Sequence, residues 1–265
     1  MTAGGVAAAV IGPSVVRVTH DLTMPLYLAT YAAIICLHAI VFTIMSFITF
    51  PPIVPTASSA GQLDAAPPRP LWEIASQPRF IASAIAGMLA FGTMSFLMSA
   101  SPLAIVGCGF QTGDAADVVS AHVLAMYAPS FITGHVIARI GVERVMAIGL
   151  AILAGAGLVG LSGATLPSFF GALILLGIGW NFGFIGATTM LTASHAPEER
   201  GRMQGMNDFI VFLGVTLASL SSGGLMNCSG GTPQAGWAAV NLAMLPFLAL
   251  AGGALIWLWL RPRPA

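Results

Sequence analysis

Lysine is absent from these 265 residues, and nine arginines are matched by nine acids, so the formal charge is zero. A chain with no basic face lacks the electrostatic footprint of a nucleic-acid binder, and that class of partner is excluded. Cysteine is scarce: Cys36, Cys108 and Cys228 show neither CxxC nor His-paired spacing, which excludes a zinc motif, and three thiols cannot form an even disulfide framework. They read as small apolar fillers, with a Cys108–Cys228 bridge as the lesser reading because both fall in loops on one side. The phosphate loop GxxxxGK[ST] is missing, as are HExxH, GxSxG and any cluster of carboxylates. ATP-driven transport is therefore excluded, an intramembrane enzyme has no catalytic group to use, and neither enzymatic activity nor a cofactor is expected.

What fills the chain instead is apolar. Hydrophobic residues make up 57% and charged ones 7%, with a mean hydropathy of +0.92, against about a quarter charged in ordinary globular domains. The apolar residues lie in runs of the length that crosses a hydrocarbon layer of about 30 Å. Strict period-two alternation is missing, so the runs predict helices rather than the strands of a membrane barrel. The predicted fold is an all-α, polytopic bundle of about eight transmembrane helices, at about residues 3–19, 26–49, 80–100, 118–138, 144–163, 168–192, 205–226 and 237–260. Its environment is a lipid bilayer.

Between the second and third runs lies Pro51 to Pro78, with PPIVP, TASSAG and PPRP, a composition that builds no core and reads as an extended linker. It divides the spans two and six. Arginines fix the orientation, because cytoplasmic loops collect them. Arg69 and Arg79, Arg139 and Arg144, Arg200 and Arg202, and Arg261 and Arg263 all fall on one side, whereas Asp21, Asp114 and Asp117 mark the other with only Arg17 nearby. The expected location is the inner (plasma) membrane, with both termini cytoplasmic. The apolar run that follows Met1 has no positive leader, so it reads as a helix within a bundle and not as a signal peptide.

Three local patterns carry a family resemblance. AAAVIGPSVV (Ala7 to Val16) is similar to a Gly-Pro helix motif, with Ala8 where glycine is usual. GHVIARIGVER (Gly134 to Arg144) is similar to a loop motif, with Ala138 in place of its acid. The most specific stretch runs from GIGWNFGFIGATTMLT (Gly177 to Thr192) through APEERGRMQGMNDF (Ala196 to Phe209) to GWAAVN (Gly236 to Asn241). Together with the two-plus-six layout, these resemble the major facilitator superfamily, and within it the bacterial group related to riboflavin importers. The resemblance implies helices five to twelve of twelve: residues 1–50 as the last two helices of an N-terminal bundle, 51–78 as the cytoplasmic linker, and 79–265 as the C-terminal six-helix bundle. It implies a chain shortened at its N-terminus, whose partners would be the missing helices or another membrane chain.

The activity so implied is secondary transport of a small organic, riboflavin-like solute by alternating access. Drug-type efflux is an alternative, as is a non-transporting membrane fragment or subunit. Candidate solute contacts are Trp180 and Asn181 at mid-span, since an amide and an indole suit a planar polar solute, with His122 and Tyr127 on the fourth run. For Asn181 the bland reading, a hydrogen bond to a neighbouring helix, stands level with the functional one. Candidate coupling or gating residues are Gln204, Asn207 and Asp208, just after Arg200 and Arg202, together with Gly134, Arg139, Gly141 and Arg144 of the loop motif. The structural alternative for Asp208 is an acid that complements the helix N-terminus and pairs with a preceding arginine. His38 is expected to hydrogen-bond a neighbouring helix, with a proton relay as the lesser reading. Gly179 and Gly183, and the stripe Gly214, Ala218 and Ser222, read as packing faces.

Overall fold

The computed structural model describes residues 2–49, 70–196, 199–228 and 231–261. Most of the predicted linker, with Arg69, and also Arg263 and the Cys228 side chain lie outside the described residues. The chain divides into two compact units, Met1–Pro13 with Pro70–Ala265, and Ser14–Arg69. Among the described residues all regular structure is helical.

Helix α1 is Thr2–Thr19 and α2 is Leu28–Ser46. Within the smaller unit, the end of α1 and α2 are joined by a threonine pair. Thr19 Oγ1 donates to Val15 O (2.6 Å), which leaves Thr30 as the donor across the 2.8 Å between the two hydroxyls. Helix α2 is apolar all round and buries only Thr30, with Ile35 and Phe42 pointing outward, the pattern of a helix solvated by lipid. Its His38 Nδ1 lies 2.8 Å from Ile34 O of its own helix. Among the described residues the imidazole thus makes an i−4 contact within α2 in place of the expected bond to a neighbouring helix.

The larger unit holds the short α3 (Leu71–Ala75), then α4 (Pro78–Gly107), α5 (Thr112–Tyr127), α6 (Ser130–Ile140), α7 (Val142–Leu161), α8 (Leu166–Thr192), α9 (Arg200–Cys228), α10 (Pro233–Leu242) and α11 (Met244–Trp259). Two spans are broken helices: α5 and α6 form one membrane-length element, Thr112–Ile140, and α10 and α11 another, Pro233–Trp259. With α2, α4, α7, α8 and α9 this makes seven helices long and apolar enough to cross a bilayer among the described residues. The first of the eight expected spans is the 18-residue α1, apolar over Gly4–Thr19.

Helices α4 and α8 form the centre; α4 packs on α5, α8, α9, α10 and α11, and α8 on α4, α5, α6 and α7. The core runs through Phe96, Leu97, Leu153, Phe169, Leu173, Leu176 and Trp237. Lipid tails are as apolar as these side chains, so close backbone approach and hydrogen bonds must hold the helices together. Both are present. Gly149 on α7 faces Gly179 and Gly183 on α8, where a Cβ on Gly149 would stand 2.6 Å from Gly183 N and 3.0 Å from Gly179 O. The stripe Gly214, Ala218 and Ser222 of α9 packs on α4, with Gly92 opposite Gly214 and Ala218 and with Ser222 Oγ donating to Phe96 O (2.6 Å). Trp237 Nε1 on α10 donates to Gly160 O on α7 (2.9 Å).

Short connections force successive spans to run in opposite directions, since a few residues reach far less than the bilayer thickness. Arg79, Arg139, Arg144, Arg200, Arg202 and Arg261 therefore gather at one end of the larger unit, and Asp114 and Asp117 at the other. Asp114 there forms a capping box with Gln111, its carboxylate accepting from the Gln111 N–H at 2.8 Å. At the arginine end α6 meets α7 through Gly141 alone, at φ 90° and ψ 152°, a backbone region nearly closed to L side chains. Gly141→Ala should lower stability by about 1–3 kcal/mol, read as a drop in the thermal unfolding midpoint in detergent.

Candidate functional site

Trp180 sits near the middle of α8, 7% exposed, and its indole N–H has no hydrogen-bond partner among the described residues. Rings from three helices contact it. Phe184, one turn on, stacks at 5.0 Å and 12°; Phe91 of α4 is tilted at 5.8 Å; Tyr127, the last residue of α5, meets it at 6.3 Å and 68°. Phe91 continues the wall to Phe184 at 5.3 Å and to Phe212 of α9 at 5.8 Å. Phe212 is exposed and Phe91, Tyr127 and Phe184 are half-buried, so the rings form an open face rather than a sealed core. Such a face offers stacking at centroid distances of about 4.5–7 Å and one donor that no described residue uses.

Sequence reasoning selected Trp180 and Tyr127, which the fold does bring together, and missed Phe91, Phe184 and Phe212. Phe184 was within reach, since i and i+4 share a helix face. Phe91 and Phe212 come from other spans, and no local pattern ties them to Trp180.

Asn181 is wholly buried, and its amide faces away from that wall. Nδ2 donates to Met126 O (2.6 Å) and Ser130 Oγ (2.6 Å), and Oδ1 lies 2.6 Å from Thr133 Oγ1. Because Met126 O can only accept, the orientation of the amide is fixed. His122 is also fully buried, with Nδ1 2.8 Å from Leu173 O; the carbonyl makes Nδ1 the donor. Leu173 lies seven residues before Trp180, about 10 Å along the helix axis, so His122 packs one level away from the aromatic wall.

The polar group at the start of α9 is local. Gln204 Nε2 donates to Asp208 Oδ1 at 2.9 Å and Asn207 Nδ2 approaches the same oxygen at 3.4 Å. The arginine pairing considered for Asp208 is absent among the described residues, because Arg200 and Arg202 are exposed and the amide at i−4 occupies the carboxylate. Gly134, Arg139 and Arg144 are exposed around the Gly141 turn, and a side chain at Gly134 would meet open space. Cys36 and Cys108 are free thiols among the described residues, the Cys228 side chain of the considered Cys108–Cys228 bridge lies outside them, and burial raises the pKa of Cys108. Among the described residues no His, Cys, Asp and Glu side chains assemble as a metal site.

Comparison with known proteins follows the same architecture. A profile of the Major Facilitator Superfamily matches residues 86–265. The riboflavin transporter RfnT of Brucella anthropi is 40% identical over 264 residues, covering 99% of this chain and 63% of that protein. Two uncharacterized MFS-type transporters of Bacillus subtilis are also similar: YdeG, 28% identical over 81% of this chain and 53% of its own length, and YddS, 30% identical over 53% and 33%. The chain thus spans less than two thirds of each of these relatives. No solved structure matches the chain at a significant level.

Proposed function

The chain belongs to the Major Facilitator Superfamily, and from that premise we propose that it carries a small, planar, riboflavin-like solute across the inner membrane by alternating access. The observation that carries this reading is the unpartnered indole N–H of Trp180 within the five-ring wall at mid-span. A flat heteroaromatic solute would stack on the wall and supply the missing acceptor, and a relative at 40% identity is named as a riboflavin transporter. Trp180 and Tyr127 are the solute contacts in this reading. Residues 79–265 act as the second six-helix bundle, residues 1–50 belong to the first, and residues 51–78 connect them on the cytoplasmic side. The arginine-bearing end of the larger unit faces the cytoplasm, which puts both termini there. The test is uptake of labelled riboflavin by proteoliposomes that carry the chain, with and without a proton uncoupler; no uptake above empty vesicles rejects the solute assignment.

Asp208 is the acid through which proton coupling would run, and its contacts allow a neutral substitute. Asp208→Asn retains an oxygen that Gln204 can reach, so the cluster should persist. If Asp208 carries the coupling proton, the variant abolishes the pH dependence of uptake while retaining exchange of solute across the membrane. An unchanged pH profile assigns Asp208 to anchoring the start of α9.

A further inference from the structure

The polar groups of the α5–α6 break all lead to one side chain. Pro129 has no N–H, and the helix stops at Tyr127 and resumes at Ser130. An unbroken helix would satisfy Met126 O with the backbone N–H of Ser130; here Asn181 Nδ2 does so at 2.6 Å. The other amide hydrogen goes to Ser130 Oγ, on the far side of the proline. Thr133 Oγ1 lies 2.6 Å from Asn181 Oδ1 and 2.8 Å from Pro129 O, and its one proton serves either. A single side chain on α8 thus ties down both ends of the break, in a bundle interior where unsatisfied polar groups are costly.

The residues next to this knot are those of the aromatic wall. Tyr127 follows Met126, and Trp180 precedes Asn181. Tyr127 is held from at least two directions, with its ring at 68° to Trp180 and close to α1, where a Cβ at Gly5 would stand 2.6 Å from the ring. There is little room for Tyr127 to shift unless the break moves with it. We infer that Asn181 is a positioning residue: it closes the α5–α6 break onto α8 and so sets Tyr127 against Trp180, without itself touching the solute. Both its amide hydrogens are engaged by protein, which leaves the indole N–H of Trp180 as the donor for a ligand. In its solute arm this inference rests on the proposed function; in its geometry it does not.

The experiment uses the whole chain in nanodiscs with 5-fluorotryptophan, the Trp180 signal being identified by its loss in Trp180→Phe. Thr133→Val and Ser130→Ala each remove one partner of Asn181, and by the distances above neither residue is part of the ring wall. Both are expected to shift the Trp180 fluorine resonance without ligand, to speed amide exchange in residues 126–134, and to weaken riboflavin binding about tenfold. Asn181→Leu should do all three more strongly, and adding Thr133→Val to it should cost little more, since the two act on one knot. A Trp180 resonance unmoved by both mild variants overturns the inference, as does loss of riboflavin binding in Asn181→Leu with unchanged exchange at the break, which would make Asn181 a direct contact. If the unaltered chain binds no riboflavin, the solute assignment fails alone, and the fluorine and exchange results still decide the role of Asn181.

Discussion

Gly149→Ala should unfold the larger unit at a markedly lower temperature, while Gly155→Ala on the same helix should leave the midpoint unchanged or raise it. Alanine replacing glycine inside an exposed helix ordinarily stabilises by roughly 0.5–1 kcal/mol, because glycine is entropically costly there. At Gly155 the added methyl would meet only Leu175 at 4.0 Å, an ordinary contact. At Gly149 it would stand 2.6 Å from the backbone nitrogen of Gly183 and 3.0 Å from Gly179 O. Backbone cannot step aside as a flexible side chain can, so α7 must separate from α8 along the seam. The expected cost is about 3 kcal/mol, at or above the usual penalty for overpacking, and in lipid no hydrophobic drive restores the contact. Equal midpoints for the two variants in a detergent melt would remove the close glycine seam from the account of how this bundle holds together.

Trp180→Phe separates function from stability with opposite signs. The substitution keeps an aromatic ring on the wall and deletes the indole N–H, which is buried without a partner among the described residues. An unsatisfied buried donor costs about 1–3 kcal/mol, so deleting it offsets the volume lost from the smaller ring, and the unfolding midpoint should change by only a few degrees. Solute affinity should fall about tenfold, because the acceptor on the solute would then be desolvated without a donor. Riboflavin titration and a thermal melt on the same preparation read both quantities. A variant that binds as tightly as the original chain removes the indole from recognition, whereas lost binding with a collapsed midpoint reduces Trp180 to a packing role.

Much of the site was visible in the sequence only as a set of oddities. Asn181 and Trp180 stood out because polar groups at mid-span are expensive, and that reasoning led to the turn of α8 where the buried amide and the aromatic wall lie side by side. It could not tell which of the two neighbours meets the other aromatic rings and which hydrogen-bonds the proline break, since adjacent residues on a helix point about 100° apart and the facing helices are needed to name each direction. The partners of Asn181 lie 48 to 55 residues away, and Ser130 and Thr133 are unremarkable in sequence. His122 was grouped with Tyr127 through proximity along the chain, but five residues of helix turn it toward Leu173. For Asp208 the arginines drew attention, while the amide at i−4 took the carboxylate.

Hydropathy alone determined that this chain is a membrane-embedded helical bundle, because a bilayer admits only elements that satisfy their own backbone and span its thickness, and both conditions are written locally in run length and composition. The family pattern was local too, carried by short motifs that survive as strings of letters. What tertiary structure decided is how those helices touch: that Gly149 meets Gly179 and Gly183, that Phe91 meets Trp180 and carries the ring wall on to Phe212, and that Asn181 is bound to a proline break on another helix. Such contacts depend on rotation and depth of one helix against another, which no single run of sequence encodes, and they are where the chemistry of this protein is set.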